Sequence, residues 1–344
     1  MKRMKVKQLS FLLLLLAVLF SACNQQEEPV QFKYNSGIFV VNEGPFGGTG
    51  TITWHDPATG ATEQDIFGKA NDGAVLGEFV QSLAFHDGKG YICIGNGTKI
   101  VVVDAATFKY LATIEGLVKP RYILPYGDHF ALVTQWGADG NSGTVAKVDL
   151  TTNKVLQTSS FIGKGPDKMF RFNDDVVLIP NSGGYSSDST IAAFRLSTFS
   201  VDHYTVTGGK NPGVCALNNS DVFVLCKGIY GFPDPVAPGW LGLADNPAVG
   251  QSVPLLSDDL CSSPDQTILY FTGGNTVYQL KNNVLSPLIQ QSTYGLACHP
   301  VTGQLICTDP KDYNSAGVAT IYNPDGTLVE SFATGISPGE VVVR

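Results

Sequence analysis

Residues 79–116 read FVQSLAFHDGKGYICIGNGTKIVVVDAATFKYLATIEG. Four short runs of β-branched and aromatic residues alternate here with turn residues. Ser82-Leu83-Ala84-Phe85 is followed by the polar turn His86-Asp87-Gly88-Lys89 and then by Tyr91-Ile92-Cys93-Ile94. Gly95-Asn96-Gly97 leads into Lys99-Ile100-Val101-Val102-Val103-Asp104, and a turn from Ala105 to Lys109 precedes Tyr110-Leu111-Ala112-Thr113-Ile114. One four-stranded meander buries neither of its faces alone. Copies must therefore pack about a common axis, as propeller blades do.

The pattern recurs on both sides of this stretch. Blade one is expected at Ile38–Val41, Thr51–Trp54 and Thr62–Ile66, and residues 79–116 form blade two. Blade three runs from Arg121–Leu124 through Phe130–Thr134 and Thr144–Leu150 to Ser160. Blade four takes Lys168–Phe170, Val176–Ile179 and Thr190–Leu196, ending at Val206. Blade five opens with Gly213–Leu217 and Val222–Cys226 and then becomes irregular. Blade six has Ile268–Phe271, Thr276–Leu280 and Val284–Ile289; blade seven has Leu296–Cys298, Leu305–Thr308, Ala319–Tyr322 and Leu328–Phe332. Blade one lacks an innermost strand, and Val341-Val342-Val343 is left over to supply it. The fold class is all-β: a seven-bladed β-propeller closed by its C-terminal strand, which hides the sheet edges.

Composition agrees. Of 344 residues only 15% are charged, while Gly (38) and Pro (19) are plentiful, as many strands and tight turns require. Residues 1–22 read as a signal peptide: Lys2, Arg3, Lys5 and Lys7 precede an apolar run from Leu9 to Phe20, too short to span a bilayer. Ser21-Ala22-Cys23 resembles a bacterial lipoprotein signal, which implies cleavage before Cys23 and lipidation there. Residues 23–36 are then a polar tether reaching roughly 45 Å at most, and the propeller occupies 37–344. The segment Asn24-Gln25-Gln26-Glu27-Glu28 is similar to the surface-export signals of Bacteroidetes lipoproteins, so the expected location is the outer membrane, at the cell surface. Losing the leader shifts the formal charge from −8 to about −12, which disfavours nucleic acid and anionic lipid as partners. Membrane contact is expected through the lipid anchor only.

Cys298 and Cys307 flank the turn at Thr302-Gly303, and Cys215 and Cys226 flank Asn219-Ser220, so each pair is expected to face across a hairpin. Such pairs are either disulfides or small apolar fillers. Strain across paired strands favours free thiols.

In a propeller the connections alternate between two faces. One face carries tight turns such as His86-Asp87-Gly88 and Asn323-Pro324-Asp325-Gly326. The other carries five long loops: Asn42 to Gly48, Gln135 to Ser142, Asn181 to Asp188, Lys227 to about Ala248, and Asp309 to Ser315. Each holds an aromatic: Phe46, Trp136, Tyr185, then Tyr230, Phe232 and Trp240, then Tyr313. Linkers reaching the same face add Glu78, Gln81, Arg121, Tyr122, Asp167, Asn211 and Tyr294. One such aromatic is more often a pin for its own loop, but five loops on one face point to a binding surface, with Asn42, Glu43, Gln135, Asn181 and Asp309 as further polar candidates.

Catalytic patterns are scarce. The five histidines are scattered, and no phosphate-binding loop occurs. Asp139-Gly140-Asn141 lacks the later ligands of an EF-hand loop, and Asp174-Asp175 and Asp258-Asp259 read as solvated turns. The expectation is a non-enzyme with neither cofactor nor metal.

Four linkers share a Gly-to-Pro signature: Gly116–Pro120, Gly163–Pro166, Gly209–Pro212 and Gly335–Pro338. Their spacing resembles the YVTN-type propeller repeat. The run Gly37-Ile38-Phe39-Val40-Val41-Asn42-Glu43-Gly44, with Gly50-Thr51-Ile52-Thr53, Pro120-Arg121-Tyr122-Ile123 and Asn181-Ser182-Gly183-Gly184, resembles a YncE-like family of Bacteroidetes surface lipoproteins. That family includes the surface protein capturing cobalamin for a TonB-dependent outer-membrane transporter. The resemblance implies capture of a bulky, scarce nutrient, a corrinoid first among them, and its transfer to a TonB-dependent receptor. A corrinoid counts as transported ligand rather than cofactor. An adhesive protein-binding module is the alternative, and an extracellular lyase or hydrolase stands behind it.

Overall fold

Seven four-stranded antiparallel sheets make up the computed structural model, which describes residues 33–231, 236–244, 246, 249–253 and 257–344. The expected leader (1–22), the lipidation site Cys23 and Phe232 lie outside the described residues. The innermost strands (Pro338–Val343, Val80–His86, Pro120–Tyr126, Phe170–Arg171, Pro212–Asn218, Leu260–Ser262 and Leu296–Cys298) neighbour one another around the axis. This is the seven-bladed β-propeller.

Closure is as expected. Ile38–Asn42 pairs on one side with Thr51–Asp56 and on the other with Pro338–Val343, Ile38 opposite Val343. Gly37 and Arg344 exchange backbone hydrogen bonds of 3.0 Å, and the Arg344 guanidinium donates to the carbonyls of Tyr34 and Ala105. Tyr34 is itself buried, edge-on to Trp54 and Phe108, so the folded body begins within the stretch expected to be tether.

Seven apolar clusters fill the seven gaps between adjacent blades. Phe39 and Trp54 of blade one, for example, pack on Leu83, Ile92 and Val101 of blade two. Each fully buried Val, Leu, Ile or Phe contributes about 1.5–3 kcal/mol, so the ring is held by contacts between blades as much as within them. That makes it a rigid mount for loops.

Three expectations need correction. The outer strand of blade one is Ala61–Glu63, not Thr62–Ile66; Ile66–Ala70 is a short helix. Asp65 caps it in a left-handed conformation, accepting from the Gly68 amide, and Ile66 and Phe67 turn into the core. Blade six has an innermost strand, Leu260–Ser262, ahead of Ile268–Gly273. Blade five is regular, with Gly239–Leu243 and Gly250–Val253 completing it, so its top loop ends before Gly239.

Trp240 therefore lies on a strand and is buried among Ile191, Val206, Cys226 and Ala244. Its indole fills a slot that glycines leave open. A Cβ on Gly242 would stand 2.1 Å from Trp240 Cη2, and one on Gly250 2.2 Å from Cζ2. The glycines that resembled loop here make room for a ring.

The cysteine pairs are displaced by two positions rather than opposed. Cys215 faces Val224 and Cys226 faces Pro212; Cys298 faces Leu305 and Cys307 faces Leu296. All six described thiols are free, and burial pushes Cys226 and Cys307 up to about 12.

Candidate ligand-binding mouth

One local device, repeated around the ring, aims side chains into the top of the axis. The innermost strands of blades two, three, five and one shift register near their starts: between Val80 and Ser82, Pro120 and Ile123, Pro212 and Val214, and opposite Val41/Asn42. A bulge adds a residue to one strand and re-aims its side chain. The residues so placed are Gln81, Arg121 with Tyr122, Gly213 and Gly339. In blades four, six and seven the corresponding positions, just ahead of shorter strands, hold Asp167-Lys168, Asp258-Asp259 and Tyr294. Threonines of neighbouring strands cap the irregular amides: Thr134 accepts from Tyr122, Thr272 from Asp258 and Asp259, and Thr308 from Gly295.

The residue before each bulge is left-handed: Phe79 (φ 57°), Lys119 (52°), Asn211 (55°) and Ser337 (53°), three of them preceding a proline. A bulky residue in this region costs of order 1–3 kcal/mol. At Phe79 and Lys119 that strain sets side chains at the mouth.

Two connected concavities result. The outer one, about 590 Å³, lies between the Glu43–Gly48 loop, Glu78, Phe79, Lys119, Trp136, Tyr185 and Tyr313. The inner chamber, about 320 Å³, is lined by Gln81, Tyr122, Asp167, Lys168, Lys227, Asp258, Asp259 and Tyr294. Glu43, Phe79, Arg121 and Trp136 belong to both and form the waist between them.

Arg121 organises the waist. Its Nε donates to Asp167 Oδ1 at 3.0 Å, and Trp136 Nε1 donates to the same oxygen at 3.1 Å. The guanidinium lies 3.9 Å from the Trp136 ring centroid and 5.6 Å from that of Phe79. Burial acts to raise the Asp167 pKa, but Arg121 and Lys227, with hydrogen bonds from Ser182 and Arg121, overcome it and hold Asp167 below the usual carboxylate range. Deeper in, Lys168 Nζ meets Asp259 Oδ1 at 2.7 Å, and Lys227 lies 3.7 Å from Asp258.

Two carboxylates differ from these. Both Glu43 oxygens accept from the Tyr294 hydroxyl, at 3.0 and 3.1 Å, and burial pushes Glu43 up to about 7 against the opposing pull of Arg121. Glu340, on the innermost strand of blade one, accepts from the Leu83 amide; burial pushes it up to about 7 against Lys168.

The rim is aromatic. Trp136 and Tyr185 meet edge-on at 5.8 Å, Tyr294 and Tyr313 at 5.6 Å, and Lys119 Nζ donates to the Tyr185 hydroxyl at 3.0 Å. Phe46 is fully exposed at the tip of its loop.

Of the residues expected at the site, Glu43, Phe46, Glu78, Arg121, Trp136, Tyr185 and Tyr313 line the outer concavity, and Gln81, Tyr122, Asp167 and Tyr294 the inner one. Others serve the scaffold. Asn42 donates to Thr51 and Thr53, Gln135 to Thr144, Asn181 to Ile162 and Thr190, and Asn211 to Gly228. Asp309 accepts from the Lys311 amide and shapes its own loop. Tyr230 is exposed but lines neither concavity, and Trp240 is core. Residues passed over in the sequence are Phe79, Lys119, Lys168, Lys227 and the pair Asp258-Asp259, which is no solvated turn, together with Glu340 beside the chamber next to Gly339. A signal was present for two of them: Lys168 and Glu340 occupy the second position after Pro166 and Pro338, as Tyr122 does after Pro120.

Residues 36–230 match the domain of unknown function DUF5074. The chain belongs to the DUF5074 family. No curated protein matches this DUF5074 chain. Its fold is shared with a quinonprotein alcohol dehydrogenase-like protein from Bacteroides thetaiotaomicron (15% identity, TM-score 0.68, covering 90% of this chain and 78% of that one). A functionally unknown protein from Desulfotomaculum acetoxidans is similar (13%, 0.65, 90% and 99%), as is Kuenenia stuttgartiensis hydrazine synthase (14%, 0.59, 74% and 85%). At these identities the likeness is one of fold.

Proposed function

We propose that this DUF5074 propeller is a surface lipoprotein that captures a bulky nutrient in its mouth and hands it to a TonB-dependent outer-membrane receptor. A corrinoid is the leading ligand, and binding without chemical transformation is the reading adopted. The observation that carries it is the convergence of Phe46, Trp136, Tyr185 and Tyr313, from four separate loops, on one concavity of about 590 Å³. That volume suits a single bulky small molecule. Rigid aromatics around it supply contact area at little entropic cost, and the Arg121–Asp167 waist below offers fixed polar groups. The lipoprotein-like leader supports the surface location, and the resemblance carried by Gly37–Gly44 and Pro120–Ile123 supports the corrinoid.

Calorimetric titration with cyanocobalamin tests the ligand. Micromolar or tighter binding with a raised melting temperature is expected; no heat and no thermal shift removes the corrinoid. Tyr185→Ala and Phe46→Ala should each weaken capture about tenfold, roughly 1.4 kcal/mol, with unchanged unfolding midpoints, since both rings are exposed. Unchanged affinity in both variants would place the ligand elsewhere.

A further inference from the structure

The inner chamber holds more acceptors than its own cations satisfy. Three cations line it and each has a carboxylate: Arg121 with Asp167, Lys168 with Asp259, Lys227 with Asp258. Among the described residues, Glu43, which also lines the chamber, has no cation within ion-pairing distance, only the Tyr294 hydroxyl; Glu340, next to the lining Gly339, likewise has only the Leu83 amide. A separate observation points the same way. Gln81 is 6% exposed and its Nε2 donates to the Tyr122 hydroxyl, while its Oε1 has no partner. Among the described residues, it is the one buried side-chain atom left without a hydrogen bond that belongs to a residue lining the chamber. Buried acceptors without donors are costly. A group that brings N–H donors into this space meets an arrangement already built for it.

We propose that the inner chamber is a subsite for a hydrogen-bond-donating arm of the captured ligand, a protonated amine or a primary amide, received by Glu43 and Gln81 while the ligand's flat portion rests on the aromatic mouth. This rests on the capture reading above and names the chemistry that the captured molecule must carry. An ammonium arm pairs with the Glu43 carboxylate, and an amide arm donates to Glu43 and Gln81 without requiring charge. A carboxylate arm faces the surplus acceptors and is rejected. Because Glu43 is pushed up to about 7, an arriving ammonium ionises it and releases a proton near neutral pH. The charged and titratable groups around Glu43 are Arg121, Lys227, Asp167 and Tyr294, with Asp258 and Tyr313 behind Tyr294.

Three indole probes with the same ring and different arms test this on the full chain: tryptamine, indole-3-propionamide and indole-3-propionate, titrated by ligand-observed NMR up to about 10 mM. Tryptamine and the amide should bind at least fivefold more tightly than the carboxylate. Glu43→Gln, with its fold checked by circular dichroism, should weaken tryptamine about tenfold and leave the amide within twofold. Tryptamine binding at pH 7 should release protons, seen as different heats in phosphate and Tris. Equal or tighter binding of indole-3-propionate, indifference of tryptamine to Glu43→Gln, or no tryptamine binding at 10 mM would each overturn the proposal. Cyanocobalamin heat without amine preference would sink this inference alone, and amine preference without cyanocobalamin heat would sink only the corrinoid.

Discussion

Arg121→Ala should lower the free energy of unfolding by about 3–5 kcal/mol and abolish capture at the mouth. The guanidinium is buried between Trp136 and Phe79 and paired with buried Asp167, and removing one partner of such a pair leaves the other charged and unsolvated. The pH dependence gives the sign. Asp167 titrates below its ordinary value in the folded protein, so its stabilisation is present above the unfolded pKa of about 4 and is lost as pH falls through the folded one. Without Arg121, the Asp167 pKa rises and folding can take up a proton there. The deficit of the variant should then shrink on going from pH 8 to pH 5. Arg121→Lys keeps the charge but not the planar fork that stacks on Trp136, so an intermediate loss is expected. Urea unfolding at both pH values measures all of this, and a loss under 1 kcal/mol at pH 8 would mean that the waist does not depend on the pair.

Replacing Glu43 and Glu340 together with Gln should do the opposite and stabilise the unliganded protein at pH 8. Both groups titrate near 7 when folded, against an ordinary 4.5. A folded-state pKa raised above the unfolded one means that the native state holds more protons between pH 4.5 and 7, so stability falls as pH rises through that window. Each shift corresponds to about 3 kcal/mol as an upper bound, less for Glu340, which is only partly buried. Gln keeps an acceptor for Tyr294 and for the Leu83 amide. The double variant should gain about 2–4 kcal/mol over wild type at pH 8 and no more than about 1 kcal/mol at pH 5. Urea midpoints that coincide at both pH values would remove the stored cost. Sites that retain such a cost for function are where stabilising substitutions are readily found.

The blades were legible because their strands alternate β-branched and turn residues, and closure followed from Val341–Val343 having no other place. Reading failed where local chemistry obscured that pattern. Gly239, Gly242 and Gly250 look like loop until the Trp240 ring needs the room. Leu260–Ser262 is only three residues long, too short for alternation to mark it, and Asp65 starts a helix turn where alternation suggested more strand. The aromatic rim could be read because it sits on loops. How the charges below pair could not, since Arg121 meets Asp167 across 46 residues and Lys168 meets Asp259 across 91. Only the ring brings these together.

Hydrogen–deuterium exchange with and without saturating cyanocobalamin tests most directly whether the ligand rests in this mouth. Slowed exchange is expected in 43–48, 77–81, 119–122, 136–142, 183–186 and 312–315, with no change in the opposite-face turns at 86–89, 127–129, 173–175, 219–221 and 323–327. Protection of those turns or of the outer wall, with the mouth unchanged, would contradict the account.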